Sequence, residues 1–190
     1  AEKQKTNEIV RKFGLVKNDY ILYVGRLVPE KGLVYLIRAF KMIHTTKKLV
    51  IAGGASDTNE FEDELRKLAT GDERIIFTGF VQGKVLEELY SNAYIYVLPS
   101  DLEGMPLSLL EAMSYGNCCL VSDIEECSAV VEENAIIFRR GDISDLKDKL
   151  QMAIDSENLV NKIGSVSAEF ICNKYNWDDI TKKTIDLYYQ

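Results

Sequence analysis

Short apolar runs rich in β-branched and aromatic residues alternate along this chain with longer segments whose apolar residues recur at helical spacing. The runs at 20–25 (YILYVG), 47–54 (KKLVIAGG), 74–80 (RIIFTGF), 94–100 (YIYVLPS) and 118–123 (CCLVSD) predict strands, and 135–142 (AIIFRRGD) holds a sixth. The segments 32–44, 59–69, 84–93, 106–116 and 143–155 predict helices, and 158–189 predicts two more, broken near NKYNW. Acids precede bases in 59–69, which suits the helix dipole. Pro106 is expected at the first helical position, with Gly116 at that helix's end. Asp142 or Ser144 is expected to cap the helix at 143–155. Strands alternating with helices make βαβ units, so the expected fold is α/β: a doubly wound, Rossmann-like domain with a six-stranded parallel sheet.

In that architecture, ligands sit beyond the carboxyl ends of the strands. After the first strand comes GRLVPEKG, where Gly25 allows close approach and Arg26 and Lys31 bracket a helix start, an arrangement suited to a phosphate or pyrophosphate. After the second strand, Gly53 opens a glycine turn that serves equally as plain punctuation or as a place for backbone to meet a ligand. After the third, TGFVQGKV resembles a Walker A loop only superficially: Gly79 and Gly83 are too close and Val85 replaces the Ser or Thr. No GxGxxG is present, so a dinucleotide fingerprint is absent. After the fourth, LPSDLEGMPLSLLEAMSYG places Glu103 in a turn marked by Gly104 and Pro106. The N–H groups of Met105, Leu107 and Ser108 are expected to be free there as a second anion cradle. Glu111 falls among Leu109, Leu110, Ala112 and Met113, which predicts a carboxylate on a buried helix face. Such a group needs a partner, from the protein or from ligand hydroxyls such as those of a ribose.

Composition narrows the function classes. The 190 residues carry a net charge of −7, with 46% hydrophobic and 28% charged residues. An acidic chain disfavours a nucleic-acid or anionic-membrane surface while leaving room for a local basic pocket. Cys118, Cys119, Cys127 and Cys172 form no CxxC pair and read as small core residues of a reduced, cytoplasmic protein. No apolar run approaches the roughly 20 residues that span a bilayer. The charged start suggests no signal peptide and looks internal to a longer chain. The single histidine, His44, is expected to be structural or exposed.

GRLVPEKG, LVIAGG, IIFTGFV, LPSDLEGMPLSLLEAMSYG and LVSDIEE, in this order, resemble the carboxyl-terminal half of GT-B glycosyltransferases, closest to the retaining family four, or group 1. The resemblance runs from about residue 18 to about 155. It implies a donor-binding domain over 18–190, with 1–17 as an interdomain connector and the last helices, around Trp177, returning towards a missing amino-terminal acceptor domain. It implies a nucleotide-diphosphate sugar as donor substrate, no metal and no other cofactor. Arg26 and Lys31 would grip the diphosphate and stabilise the leaving group. Phe80 and Val81 would meet the nucleobase edge through backbone, with Leu86 against its face. Glu103 would contact the donor sugar near the anomeric carbon, Met105 and Leu107 would offer N–H groups, and Glu111 would bind the ribose. The implied reaction is sugar transfer with retention, by front-face departure and attack, in cell-surface or exopolysaccharide glycan synthesis. Peripheral membrane association would run through the missing half, without which this chain would bind donor but not turn over. Cys118 stands where family members often carry Pro, and Ser128 and Ala129 where they often carry Pro-Glu. A nucleotide-sugar epimerase and a non-catalytic nucleotide-binding module stay open as alternatives.

Overall fold

A computed structural model describes residues 1–55, 59–176, 181, 182, 185, 186 and 188. The final expected helix and Trp177 therefore lie largely outside the described residues. Six strands, β1 (Tyr20–Val24), β2 (Lys48–Ala52), β3 (Ile75–Gly79), β4 (Ile95–Leu98), β5 (Cys119–Ser122) and β6 (Ile136–Phe138), form one parallel sheet in the order β3-β2-β1-β4-β5-β6. The order reverses between β1 and β4, the position at which a doubly wound sheet opens a crevice. Central strands buried on both faces require unbroken apolar runs, and Ile21–Tyr23, Leu49–Ile51, Ile95–Val97 and Cys119–Val121 are indeed fully buried. β3 is the half-buried edge.

The helices are α1 (Glu8–Phe13), α2 (Leu33–Met42), α3 (Glu60–Ala69), α4 (Lys84–Asn92), α5 (Leu107–Ser114), α6 (Glu125–Val131), α7 (Ile143–Asp155) and α8 (Glu157–Lys174). α7 packs on α2, α5 on α8, and α1 on α4. Asp142 caps α7 by accepting from the Asp145 N–H at 3.0 Å. Pro106 is the residue before α5 rather than its first helical position, with ψ at 74°, and Gly116 turns the chain at φ 70° just past its end.

Two helices were not expected. α6 joins two neighbouring parallel strands, a connection that geometry requires to cross over the sheet, and Ser128 and Ala129 lie inside it. α1 falls in the segment read as a connector, yet Ile9 and Leu15 are fully buried in the common core. What binds α1 is a carboxylate from far away in sequence. Glu88 on α4 is completely buried, and its Oε2 accepts from the N–H groups of Asn7 (2.9 Å) and Ile9 (3.1 Å). It thereby satisfies donors that a helix start leaves free. Ser91 Oγ accepts from the Gln4 N–H at 2.8 Å, and the Asn92 amide donates to the Gln4 carbonyl at 3.0 Å.

Cys118, Cys119 and Cys127 are buried, and burial pushes the Cys118 and Cys127 thiols up to about 12. Cys172 departs from expectation: it is exposed on α8. His44 is exposed after α2, on the loop that leads into the amino end of β2, and its backbone exchanges hydrogen bonds with Gln151 of α7. Among the described residues no helix is long and apolar enough to cross a membrane.

Candidate functional site

Backbone hydrogen bonds extend the sheet past its formal carboxyl edge. Gly25 donates to the Ala52 carbonyl, Leu27 to that of Gly54 and Gly53 to that of Gly79, each at 3.0 Å. A Cβ on Gly53 would lie 1.8 Å from the Gly25 carbonyl oxygen, so this crossing admits only glycine. The ends of β1, β2 and β3 thus wall a cleft of about 450 Å³. It brings together Gly25, Arg26, Gly53, Phe80, Val81 and Leu86, six of the residues singled out in the sequence. The Arg26 side chain is exposed at this cleft and makes no hydrogen bond or ion pair among the described residues. Beneath it, the Tyr23 hydroxyl donates to the Arg26 carbonyl at 2.9 Å and holds the loop in place. Phe80, at 77% exposure, offers an open aromatic face at the cleft.

A second cluster forms where α2 begins. A Cβ on Gly32, at φ 67°, would lie 1.9 Å from the Pro99 carbonyl oxygen, so glycine lets the start of α2 press against the end of β4. The Asp101 N–H donates to the Glu30 carbonyl at 2.8 Å, and the Tyr35 hydroxyl to Asp101 Oδ2 at 2.9 Å. These contacts set Lys31 Nζ 2.7 Å from Glu103 Oε1, an ion pair with side-chain exposures of only 16% and 6%. The Ser100 hydroxyl donates to the same oxygen at 2.7 Å, and the Ser122 hydroxyl supports Ser100 through its carbonyl. The buried Glu103 carboxylate is therefore both charge-paired and hydrogen-bonded, as burial demands. Lys31 and Glu103, expected to act separately on a diphosphate and on a sugar, are each other's partner in this structure.

The start of α5 differs from expectation. The Leu107 N–H is not free, since it donates to the Met105 carbonyl at 2.9 Å. Gly104, Met105 and Leu107 are exposed, while Pro106 is buried. Glu111 is exposed rather than buried. The buried face of α5 carries Leu109, Ala112 and Met113, and at 100° per residue Glu111 points away from it. Its Oε2 accepts from the Tyr90 hydroxyl at 2.9 Å. Glu111, Met105 and Leu107 line a separate apolar pocket of about 440 Å³, with Leu110 and residues of α8, and not the cleft that holds Arg26.

Sequence reasoning missed Gly32, Ser100, Ser122, Tyr35, Asp101 and Tyr90. The only local signal among them was the glycine that closes GRLVPEKG. Among the described residues no three His, Cys, Asp or Glu side chains converge in a metal-binding arrangement.

The sequence profile described as glycosyl transferases group 1 matches residues 5–170. The chain belongs to that family. It is 32% identical over 172 residues to an uncharacterized glycosyltransferase of Methanocaldococcus jannaschii, covering 88% of this chain and 44% of that protein. It is 23% identical over 184 residues to the O-antigen chain mannosyltransferase B of Escherichia coli, covering 95% of this chain and 48% of the relative. Among solved structures, Anabaena HepE in complex with UDP and glucose superposes with a TM-score of 0.88 at 18% identity, over 96% of this chain and 51% of HepE. The Rossmann-like sheet is thus the fold of one half of a GT-B glycosyltransferase, and the chain spans about half the length of the curated relatives it matches.

Proposed function

We propose that this chain is the donor-binding half of a glycosyltransferase that takes a sugar from a nucleotide-diphosphate sugar. The observation that carries the reading is the cleft at the carboxyl ends of β1–β3. There an uncommitted guanidinium, a close-packed glycine crossing and an exposed aromatic face meet in a chain of net charge −7. The base lies against Phe80 and Leu86 with its edge at the Phe80–Val81 backbone, and the diphosphate takes the charge of Arg26. Lys31 lies between Glu103 and the phosphates: its ammonium has three donors and spends one on Glu103. Glu103, neutralised by that pair, is positioned for donor-sugar hydroxyls near the anomeric carbon. Glu111 lies outside the cleft's own lining but is tied through the Tyr90 hydroxyl to α4, the helix that brings Leu86 to the cleft, and from there it takes the ribose hydroxyls.

In the reaction, the bond from the anomeric carbon to the diphosphate breaks while an acceptor hydroxyl oxygen attacks the same face and its proton passes to the departing diphosphate oxygen, so configuration is retained. The cations stabilise charge that accumulates on the leaving group. The acceptor comes from the other half of the protein, which also closes the cleft to water, so this chain alone binds donor without turnover. On this reading the chain is the carboxyl-terminal half, residues 1–17 lead from it to the acceptor half, and the work is cytoplasmic, at a membrane that the other half touches. The O-antigen mannosyltransferase relative supports a place in cell-surface or exopolysaccharide glycan synthesis.

Titration calorimetry with UDP, GDP and ADP tests the site. One or more of them binds, and Arg26→Ala weakens that binding about 10- to 100-fold, the loss of one charge-assisted phosphate contact. Equal affinity in the variant refutes the assignment of the cleft.

A further inference from the structure

We infer that Tyr90 is a positioning residue that pre-orients Glu111 for the ribose. The inference rests on the donor-site reading above and goes beyond it. Glu111 is an exposed side chain on a helix, free by itself to sample several rotamers. Ordering such a side chain at the moment of binding weakens affinity. Tyr90 removes that freedom in advance. Its ring is 2% exposed, stacks on Tyr115 at 5.6 Å between centroids and 11° between planes, and meets Tyr96 at 6.1 Å and 45°. The hydroxyl is thus fixed, and it donates to Glu111 Oε2 at 2.9 Å. Burial first, then the neighbouring Tyr96 and Glu111, drives the Tyr90 phenol far above its ordinary range, so it is a neutral donor at working pH.

The hydrogen bond takes one carboxylate oxygen and leaves Oε1 to accept from a ligand hydroxyl. The placement on α4 matters as well. Leu86 lines the cleft and Tyr90 follows four residues later on the same helix face, so one rigid helix serves both the cleft and Glu111.

The test measures the affinity of the protein for UDP and for 2′,3′-dideoxy-UDP, with the GDP and ADP pairs in parallel, in wild type, Tyr90→Phe and Glu111→Gln. Wild type prefers the ribose form. Tyr90→Phe keeps the ring stack, lowers affinity for the ribose form about two- to tenfold, the worth of one hydrogen bond, and leaves the dideoxy form unchanged. A ring acting only in packing would weaken both forms alike, and that result overturns the inference. So does a full ribose preference in Tyr90→Phe alongside its loss in Glu111→Gln, which leaves the donor site standing. Tyr90→4-fluorophenylalanine, which keeps the ring's volume better, carries the same comparison should Tyr90→Phe not fold. A wild type that binds none of the three ribonucleotides overturns the donor-site reading and this inference with it.

Discussion

Glu88→Leu tests the most unusual feature of the fold. Glu88 is fully buried, and its Oε2 is the acceptor for two backbone N–H groups at 2.9 and 3.1 Å, while its Oε1 has no hydrogen-bond partner among the described residues. Replacing the side chain with Leu orphans two donors at the start of α1. Hydrogen bonds to a charged acceptor contribute about 1.5–3 kcal/mol each, and part of this is recovered because the unpartnered oxygen and its desolvation vanish. The net expectation is a loss of about 3 kcal/mol, or about 6–12 °C in Tm for a chain of this size. The carboxylate also predicts a pH dependence. Burial alone raises its pKa; the N–H groups of Asn7, Ile9 and Glu8 and the charge of Lys84 outweigh that and hold it below the ordinary carboxylate range. A group with a lowered folded pKa contributes stability that is complete above its unfolded value, about 4.3, and is lost as pH falls through the folded value. The gap in Tm between wild type and Glu88→Gln is therefore constant near neutrality and closes on acidification below about pH 4.3. Thermal melts followed by circular dichroism from pH 7 to pH 3 measure both effects. A Leu variant that melts with wild type, or a Gln gap that does not change with pH, refutes the reasoning.

Gly53→Ala places a methyl group 1.8 Å from the Gly25 carbonyl oxygen, and backbone cannot yield as a side-chain tip does. It lowers stability by about 2 kcal/mol or more and weakens nucleotide binding at the same time, as melts and calorimetry will record. Glu103→Gln retains nucleoside diphosphate affinity within about threefold while sugar transfer by the protein with both halves present falls at least about tenfold. Unchanged transfer in that variant would refute the role given to Glu103 at the donor sugar.

Much of the sheet was legible because strands buried on both faces leave runs such as LVIA and YIYVL that tolerate no polar residue. The cleft residues were legible because a doubly wound sheet places the residue after each strand at one edge. The missed features are those whose reason lies far away in the chain. Glu88 sits in KVLEELYSN as an apparently solvent-facing acid, and its partners are backbone groups 81 and 79 residues away. Gly32 answers to Pro99, and Ser100 to Ser122. α6 is a seven-residue helix, too short for Cys127, Val130 and Val131 to display a period. Glu111 was misjudged for the opposite reason: its apolar neighbours in sequence suggested burial, although helical geometry turns it to the outer face.

The central claim is that the cleft between the ends of β1, β2 and β3 receives a nucleoside diphosphate. Crystals of the protein grown with the tightest-binding of UDP, GDP and ADP test it directly. The account predicts phosphate oxygens within hydrogen-bonding distance of the Arg26 guanidinium and the Lys31 ammonium, with the base against Phe80 and Leu86. A nucleotide bound elsewhere on the domain, with that cleft empty, would contradict it.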